Sequence, residues 1–158
     1  MIAGIGHDLV NVAQFAQQMH DGDGWRALFS QRELRQCAMR AHSKNDAEAM
    51  HIAARWAGKE AVIKSWCDAL SSFGDAKYPY TLDNTPWASI EILDDSHSCP
   101  SVNLDDAVNE KLMQSLGTVP MINAQNGFSI RWHVSLSHDG LLEDVSAIAS
   151  AFVILEIV

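Results

Sequence analysis

The strongest chemical signal in the sequence is the run Arg55-Trp56-Ala57-Gly58-Lys59-Glu60-Ala61-Val62-Ile63-Lys64. On a helix, residues four apart share a face with Cβ atoms about 6 Å apart, so Glu60 meets Lys64 and Arg55 meets Lys59. One reading is a solvated helix face whose ion pair contributes about 0.3–0.5 kcal/mol. The other is a polyanion site, with a carboxylate for a hard cation and cations for phosphate oxygens. Asp8 is the second candidate. It ends an otherwise apolar strand, where a charge is costly unless it reaches solvent, a partner or a metal. A strand-end Asp with a helix Glu suits Mg2+, which takes one or two carboxylates and completes its shell with phosphate and water oxygens.

The third candidate is Val134-Ser135-Leu136-Ser137-His138. Serine beside histidine invites a hydrolase interpretation, but no GxSxG elbow accompanies it, and adjacent strand residues face opposite ways. The hydroxyls and the imidazole suit hydrogen bonds to phosphate oxygens instead. His7 alternates onto the face opposite Asp8 and reads as packing or surface; His51 and His97 lack metal-ligand spacing and read the same way. The five tryptophans read as core and interface fillers. Cys37, Cys67 and Cys99 are odd in number and form no CxxC pair, so they read as reduced structural thiols rather than a zinc or redox site.

These residues need elements to position them. Met1 to Val10 alternates as a strand with Gly4, Gly6 and Asp8 on one face, and two strand glycines mark the close approach of another backbone or a ligand. A helix follows over Val12–Met19 and a turn over 20–24. Ser30-Gln31-Arg32-Glu33 has capping-box spacing and opens a second helix to about Ala41. After a polar break at Ser43–Asp46, a long helix runs from Ala47 to Leu70 with only Gly58 as a weak point. Residues 71–86 read as a loop. Trp87–Leu93 and Ser101–Leu104 form a hairpin about a turn at 94–100. A helix spans Asp105–Leu116, a loop 117–127, and strands Phe128–Ser137 and Val145–Val158. The order implies an α+β fold with a mainly antiparallel sheet and a long central helix.

The 158 residues, 47% hydrophobic and 20% charged, fit one globular domain over 1–158 that buries roughly 70% of its unfolded surface. A net charge of −9 argues against nucleic acid and anionic membrane as partners, since both want a cationic face. With no signal peptide or apolar run of membrane-spanning length, a cytoplasmic location is expected.

Taken together, GIGHDLV at the N-terminus, RWAGKEAVIK in the middle and VSLSH near the C-terminus resemble the three motifs of holo-acyl-carrier-protein synthases, in order and across nearly the whole chain. IAARWAGKEAVIKSW is especially similar to actinobacterial members, and the hairpin strand WASIEIL sits where the family has a strand before its coenzyme A-facing turn. The resemblance implies a 4'-phosphopantetheinyl transferase. Such an enzyme moves the phosphopantetheine arm of coenzyme A to a serine of an apo acyl carrier protein, or of a carrier domain in a fatty acid synthase, and supports fatty acid biosynthesis. It implies Mg2+, with Mn2+ as an alternative, held by Asp8 and Glu60. It implies that Lys64 contacts phosphate and supports the leaving group, and that Arg55, Ser137 and His138 line the coenzyme A site. The proton acceptor stays open between Glu60 and a metal-bound water. The resemblance also implies a homotrimer with sites at subunit interfaces, which leaves open whether Asp8 and the Arg55–Lys64 helix meet within one chain or across two. Competing interpretations are a non-catalytic coenzyme A or carrier-binding module, which has no need of both carboxylates, and a metal-dependent hydrolase of pyrophosphate esters.

Two positions depart from the family pattern. The hairpin turn, commonly Gly-Lys-Pro, is Ser98-Cys99-Pro100, so a cation is missing. The arginine often found before the phenylalanine of the first helix is replaced by Gln14, ahead of Phe15. With the net charge of −9, this points to a less acidic acceptor, such as a carrier domain inside a large synthase.

Overall fold

The computed structural model describes residues 1–72, 76–124, 127–141 and 144–158; parts of the loops read over 71–86 and 117–127 lie outside the described residues. Strand β1 (Ile2–Asn11) leads into helix α1 (Val12–Asp21), a short 3-10 segment (Gly24–Leu28) and helix α2 (Gln31–Lys44). The long helix α3 (Glu48–Ser72) follows, then a 3-10 turn (Trp87–Ser89) and the hairpin of β2 (Ile90–Asp94) and β3 (Pro100–Leu104). Helix α4 (Asp106–Gly117), a single turn α5 (Pro120–Asn123) and strands β4 (Ile130–Asp139) and β5 (Ile148–Ile157) complete the order. The strands form an antiparallel sheet in the order β1-β5-β4 and a separate antiparallel hairpin β2-β3, so the α+β expectation holds.

Helix α3 crosses one face of the three-stranded sheet, and the glycines of β1 let it come close. A Cβ on Gly4 would stand 1.9 Å from the Ser65 carbonyl oxygen, and one on Gly6 1.8 Å from that of Ala61. Only glycine permits this approach, which sets β1 directly on the helix backbone. Between them, α3, the sheet, the hairpin and α4 enclose Val62, Trp66, Ile90, Ile92, Leu112 and Leu155. A second apolar cluster joins α1, α2 and the first half of α3 through Val12, Phe15, Leu34 and Ile52. Apart from a stripe at Trp56, Glu60, Lys64 and Asp68 that reaches solvent, the middle of α3 is buried. The opposite sheet face carries exposed Ile5, Leu9 and Phe152.

The solvated face considered for Arg55 and Lys59 is therefore corrected: both are buried. The Lys59 ammonium donates to Glu33 Oε2 at 2.8 Å and to the carbonyls of Trp87 and Ile90. Glu33 is also the capping-box residue of α2, accepting from Ser30 N, and its other oxygen accepts from Ile92 N. One carboxylate thus caps a helix, pairs with a lysine 26 residues away and holds β2. Burial pushes the Glu33 pKa up and that of Lys59 down, each opposed by the partner's charge.

Other boundaries also differ from expectation. The strand read from Trp87 starts at Ile90, because the carbonyl of Trp87 turns to Lys59 and Ser89 N bonds back to Pro86. Helix α2 continues through the polar break to Lys44 and ends on Asn45 in the left-handed conformation. Within the loop read over 117–127, Pro120 starts one helical turn, suited to it by its fixed φ and missing N–H. The last two strands start two to three residues later than read, at Ile130 and Ile148, and end at Asp139 and Ile157. Among the described residues, no helix is long and apolar enough to cross a membrane.

Candidate active site

The glycine contacts of β1 with α3 place Asp8, two residues beyond Gly6, against the Glu60–Lys64 turn. Asp8 is 7% exposed. Its Oδ1 accepts from Lys64 Nζ at 2.7 Å, and the same ammonium reaches the His7 carbonyl at 3.2 Å. Asp8 Oδ2 is buried with no partner among the described residues. Glu60 is half-buried beside it. Burial raises the Glu60 pKa, and the Asp8 carboxylate raises it further; Lys64 pulls it back down without cancelling the shift. Two carboxylates thus stand together, with one half-exposed ammonium bound to Asp8 rather than to Glu60 four residues before it, and an Asp8 oxygen left over. Asp8, Glu60 and Lys64 meet within a single chain.

This arrangement fits a hard divalent cation. An orphaned carboxylate oxygen and a carboxyl with raised proton affinity are what a site built around a missing positive charge presents. A shallow cleft of about 190 Å³ opens beside the pair and is lined by Asn11, Gln14, Phe15, Gln18 and Trp56.

Arg55 lies five residues before Glu60 on α3, at the floor of a second cleft of about 280 Å³. Its Nη2 donates to Asp94 Oδ2 at 2.7 Å, and Arg40 of α2 binds the same oxygen. The Arg55 Nε is buried without a partner among the described residues. Lys44, Ser98, His51 and His138 complete the walls. Three cations, Arg40, Lys44 and Arg55, converge here against the carboxylate of Asp94, in a chain of strongly negative net charge. The cleft is suited to anions. His138 lines it half-buried, and burial, the neighbouring His51 and Lys44 push its pKa down.

The structure does not bring every candidate to one place. Ser137 and His138 point to opposite faces of β4, so His138 enters the cleft from the helix side while Ser137 stands exposed at its rim. Sequence reasoning missed Arg40, Lys44 and Asp94. The first two carried a signal, an i,i+4 basic pair at the end of α2, but that is also the pattern of a helix end meeting its dipole. His51 needs correction: it is 2% exposed and Nε2 lies 2.6 Å from Asp46 Oδ1, with the His138 ring edge-on at 5.3 Å. His7 stays on the open face, as expected, 3.0 Å from Ser150 Oγ.

Residues 4–138 match the family model of the 4'-phosphopantetheinyl transferase superfamily. The chain is 50% identical to the holo-[acyl-carrier-protein] synthase of Bifidobacterium adolescentis, covering 98% of this chain and 99% of that protein. It is 36% identical to the enzyme of the same name from Nocardia farcinica, over 98% and 88% of the two chains. Among solved structures it is similar to the Chronobacterium ammoniagenes ACPS–CoA complex, with TM-score 0.74, 30% identity and coverage of 97% and 96%. These matches make the chain a transferase. The chain belongs to the 4'-phosphopantetheinyl transferase superfamily, in its holo-[acyl-carrier-protein] synthase branch.

Proposed function

We propose that this chain transfers the 4'-phosphopantetheine arm of coenzyme A to a serine of an apo acyl carrier protein or carrier domain, as one catalytic domain over 1–158 that depends on Mg2+ held by Asp8 and Glu60. The observation that carries this is the meeting of two carboxylates, one with a buried oxygen unpartnered among the described residues, beside a lysine.

Bound there, the ion supplies positive charge to the pyrophosphate. The chain's own residues do the rest. Arg55, Arg40 and Lys44 anchor the phosphate of the nucleotide end, and His138 closes that wall from β4. Arg55 and Glu60 are five residues apart on α3, about 7.5 Å along the axis and about 140° around it, and they face β4 and β1, the two edges of the sheet; in a homotrimer the cleft of one subunit would serve the carboxylate pair of the next. The carrier serine oxygen attacks the β-phosphorus, and the bond from that phosphorus to the bridging oxygen breaks. The bridging oxygen leaves with the electron pair on adenosine 3',5'-bisphosphate, where Lys64 offsets the developing charge. The serine proton passes to Glu60 or to solvent at the same edge. The product then serves fatty acid synthesis in the cytoplasm.

The cleft at Asp8 and Glu60 is edged by Gln14 and Gln18, uncharged side chains on α1. This supports a less acidic acceptor, and faster transfer to a free acidic carrier than to a synthase-embedded domain would count against it. The exposed apolar residues Ile5, Leu9 and Phe152 on the open sheet face support a homotrimer in which that face is covered. Incubating the protein with coenzyme A, Mg2+ and apo carrier tests the function. Mass gain on the carrier is expected. Loss of coenzyme A without carrier labelling would point to a hydrolase, and no reaction to a binding module.

A further inference from the structure

We propose that Asp46, His51 and His138 form a second cation site, for a borderline divalent ion such as Zn2+, on the wall of the anion cleft and separate from the Asp8–Glu60 pair. Three elements bring these residues together: the α2–α3 connection, the first turn of α3 and the end of β4. One ligand atom from each lies within 4.8 Å of the others. Zn2+ binds nitrogen and oxygen at about 2.0–2.2 Å, so tetrahedral neighbours stand about 3.3–3.6 Å apart. His51 Nε2 and Asp46 Oδ1 stand 2.6 Å apart as a hydrogen-bonded pair, so binding an ion parts them by about 0.7–1.0 Å while His138 closes in from within 4.8 Å.

The donor chemistry separates this site from the first. Two imidazoles and one carboxylate form a set that Zn2+, Co2+ or Ni2+ accept and Mg2+ does not, since Mg2+ demands oxygen ligands. Two carboxylates at Asp8 and Glu60 have the reverse preference. The cleft wall beside His138 also carries Lys44 and Arg40. Those same cations, with Arg55, oppose a metal ion. Asp46 and Asp94 offset them, with Asp94 already bound to both Arg40 and Arg55. Asp46 also braces the start of α3 through His51 and His138 also lines the anion cleft, so the ion would draw on side chains that have a second duty. Three protein ligands leave a fourth position open toward the cleft. An ion there takes the space of an anionic ligand, so Zn2+ inhibits competitively with coenzyme A; that last step rests on the proposed function, whereas the binding does not.

Calorimetric titration of the metal-free protein with Zn2+ in excess Mg2+, without coenzyme A, tests the site. One site per chain is expected, weakened about tenfold or more by Asp46→Asn and by His138→Gln separately, with unchanged circular dichroism in both variants. Co2+ should bind with a nitrogen–oxygen spectrum that Cys99→Ser leaves untouched. Failure to bind Zn2+ stoichiometrically, binding that both variants retain, or a thiolate absorption band lost in Cys99→Ser would overturn the proposal. Zn2+ binding that coenzyme A does not displace would uphold the site and contradict placement of the donor in this cleft.

Discussion

Replacing Gly6 with alanine tests how β1 positions the carboxylate pair. The new Cβ would lie 1.8 Å from the Ala61 carbonyl oxygen and 2.7 Å from Ser65 N, both backbone atoms that no rotamer change can move. An ordinary carbon–oxygen contact is about 3.3 Å, so strand and helix must part by about 1.5 Å. Overpacking of this kind costs about 1–3 kcal/mol, and a backbone-to-backbone clash belongs at the upper end. Roughly 3 kcal/mol lowers the melting temperature by about 6–12 °C in a chain of this size and leaves it folded. Asp8, two residues along the same strand, moves with it, and a displacement of about 1 Å costs roughly 100-fold in rate. Thermal unfolding and carrier labelling per folded enzyme measure the two effects, with Gly117→Ala as control because no atom lies within 4 Å of its added Cβ. A Gly6→Ala protein with the control's stability and wild-type turnover would refute the positioning argument.

Three further perturbations probe separate parts of the structure. Lys59→Met leaves Glu33 buried without its cation and should cost about 3–5 kcal/mol in urea unfolding, with a smaller loss in the Glu33→Gln/Lys59→Met double variant; equal losses in both would show that the unpaired Glu33 charge is not the source of the cost. The raised Glu60 pKa means that the ion-free folded state holds this proton more tightly than the unfolded chain does. Its contribution to stability is therefore present below the ordinary carboxylate range and lost as pH rises through the raised value, a trend that Glu60→Gln should remove from melting curves in chelator. An unchanged trend in that variant would place its origin elsewhere. Mixing Asp8→Asn with Glu60→Gln chains should restore no activity, because both ligands belong to one chain; recovery on mixing would place them on different subunits.

How much of this was legible in the sequence depended on how local each feature is. Asp8, Glu60 and Lys64 were readable because strand alternation and helical spacing fix their directions, and the Gly4–Gly6 pair announced a close contact. The Ser30–Glu33 capping box was equally local. The second duty of Glu33, binding Lys59 and β2, was not, because it depends on how α2, α3 and the hairpin pack. For the same reason Arg55 looked solvent-facing while it was paired with Asp94, 39 residues away. Asp94 itself read as the start of a turn, and His51 as a histidine without partners, since Asp46 and His138 reach it from two other elements. Trp87–Ser89 alternated like a strand, but two of the nearby carbonyls serve the buried lysine instead.

The most direct measurement is the rate of holo-carrier formation from coenzyme A as a function of Mg2+ concentration, for the wild-type chain and Glu60→Gln. The wild type should be inactive in chelator and saturate with added Mg2+, while Glu60→Gln, folded and intact, should stay slower by about two orders of magnitude or more. Wild-type transfer at full rate without a divalent ion, or near-normal transfer by Glu60→Gln, would contradict a metal centre built on Asp8 and Glu60.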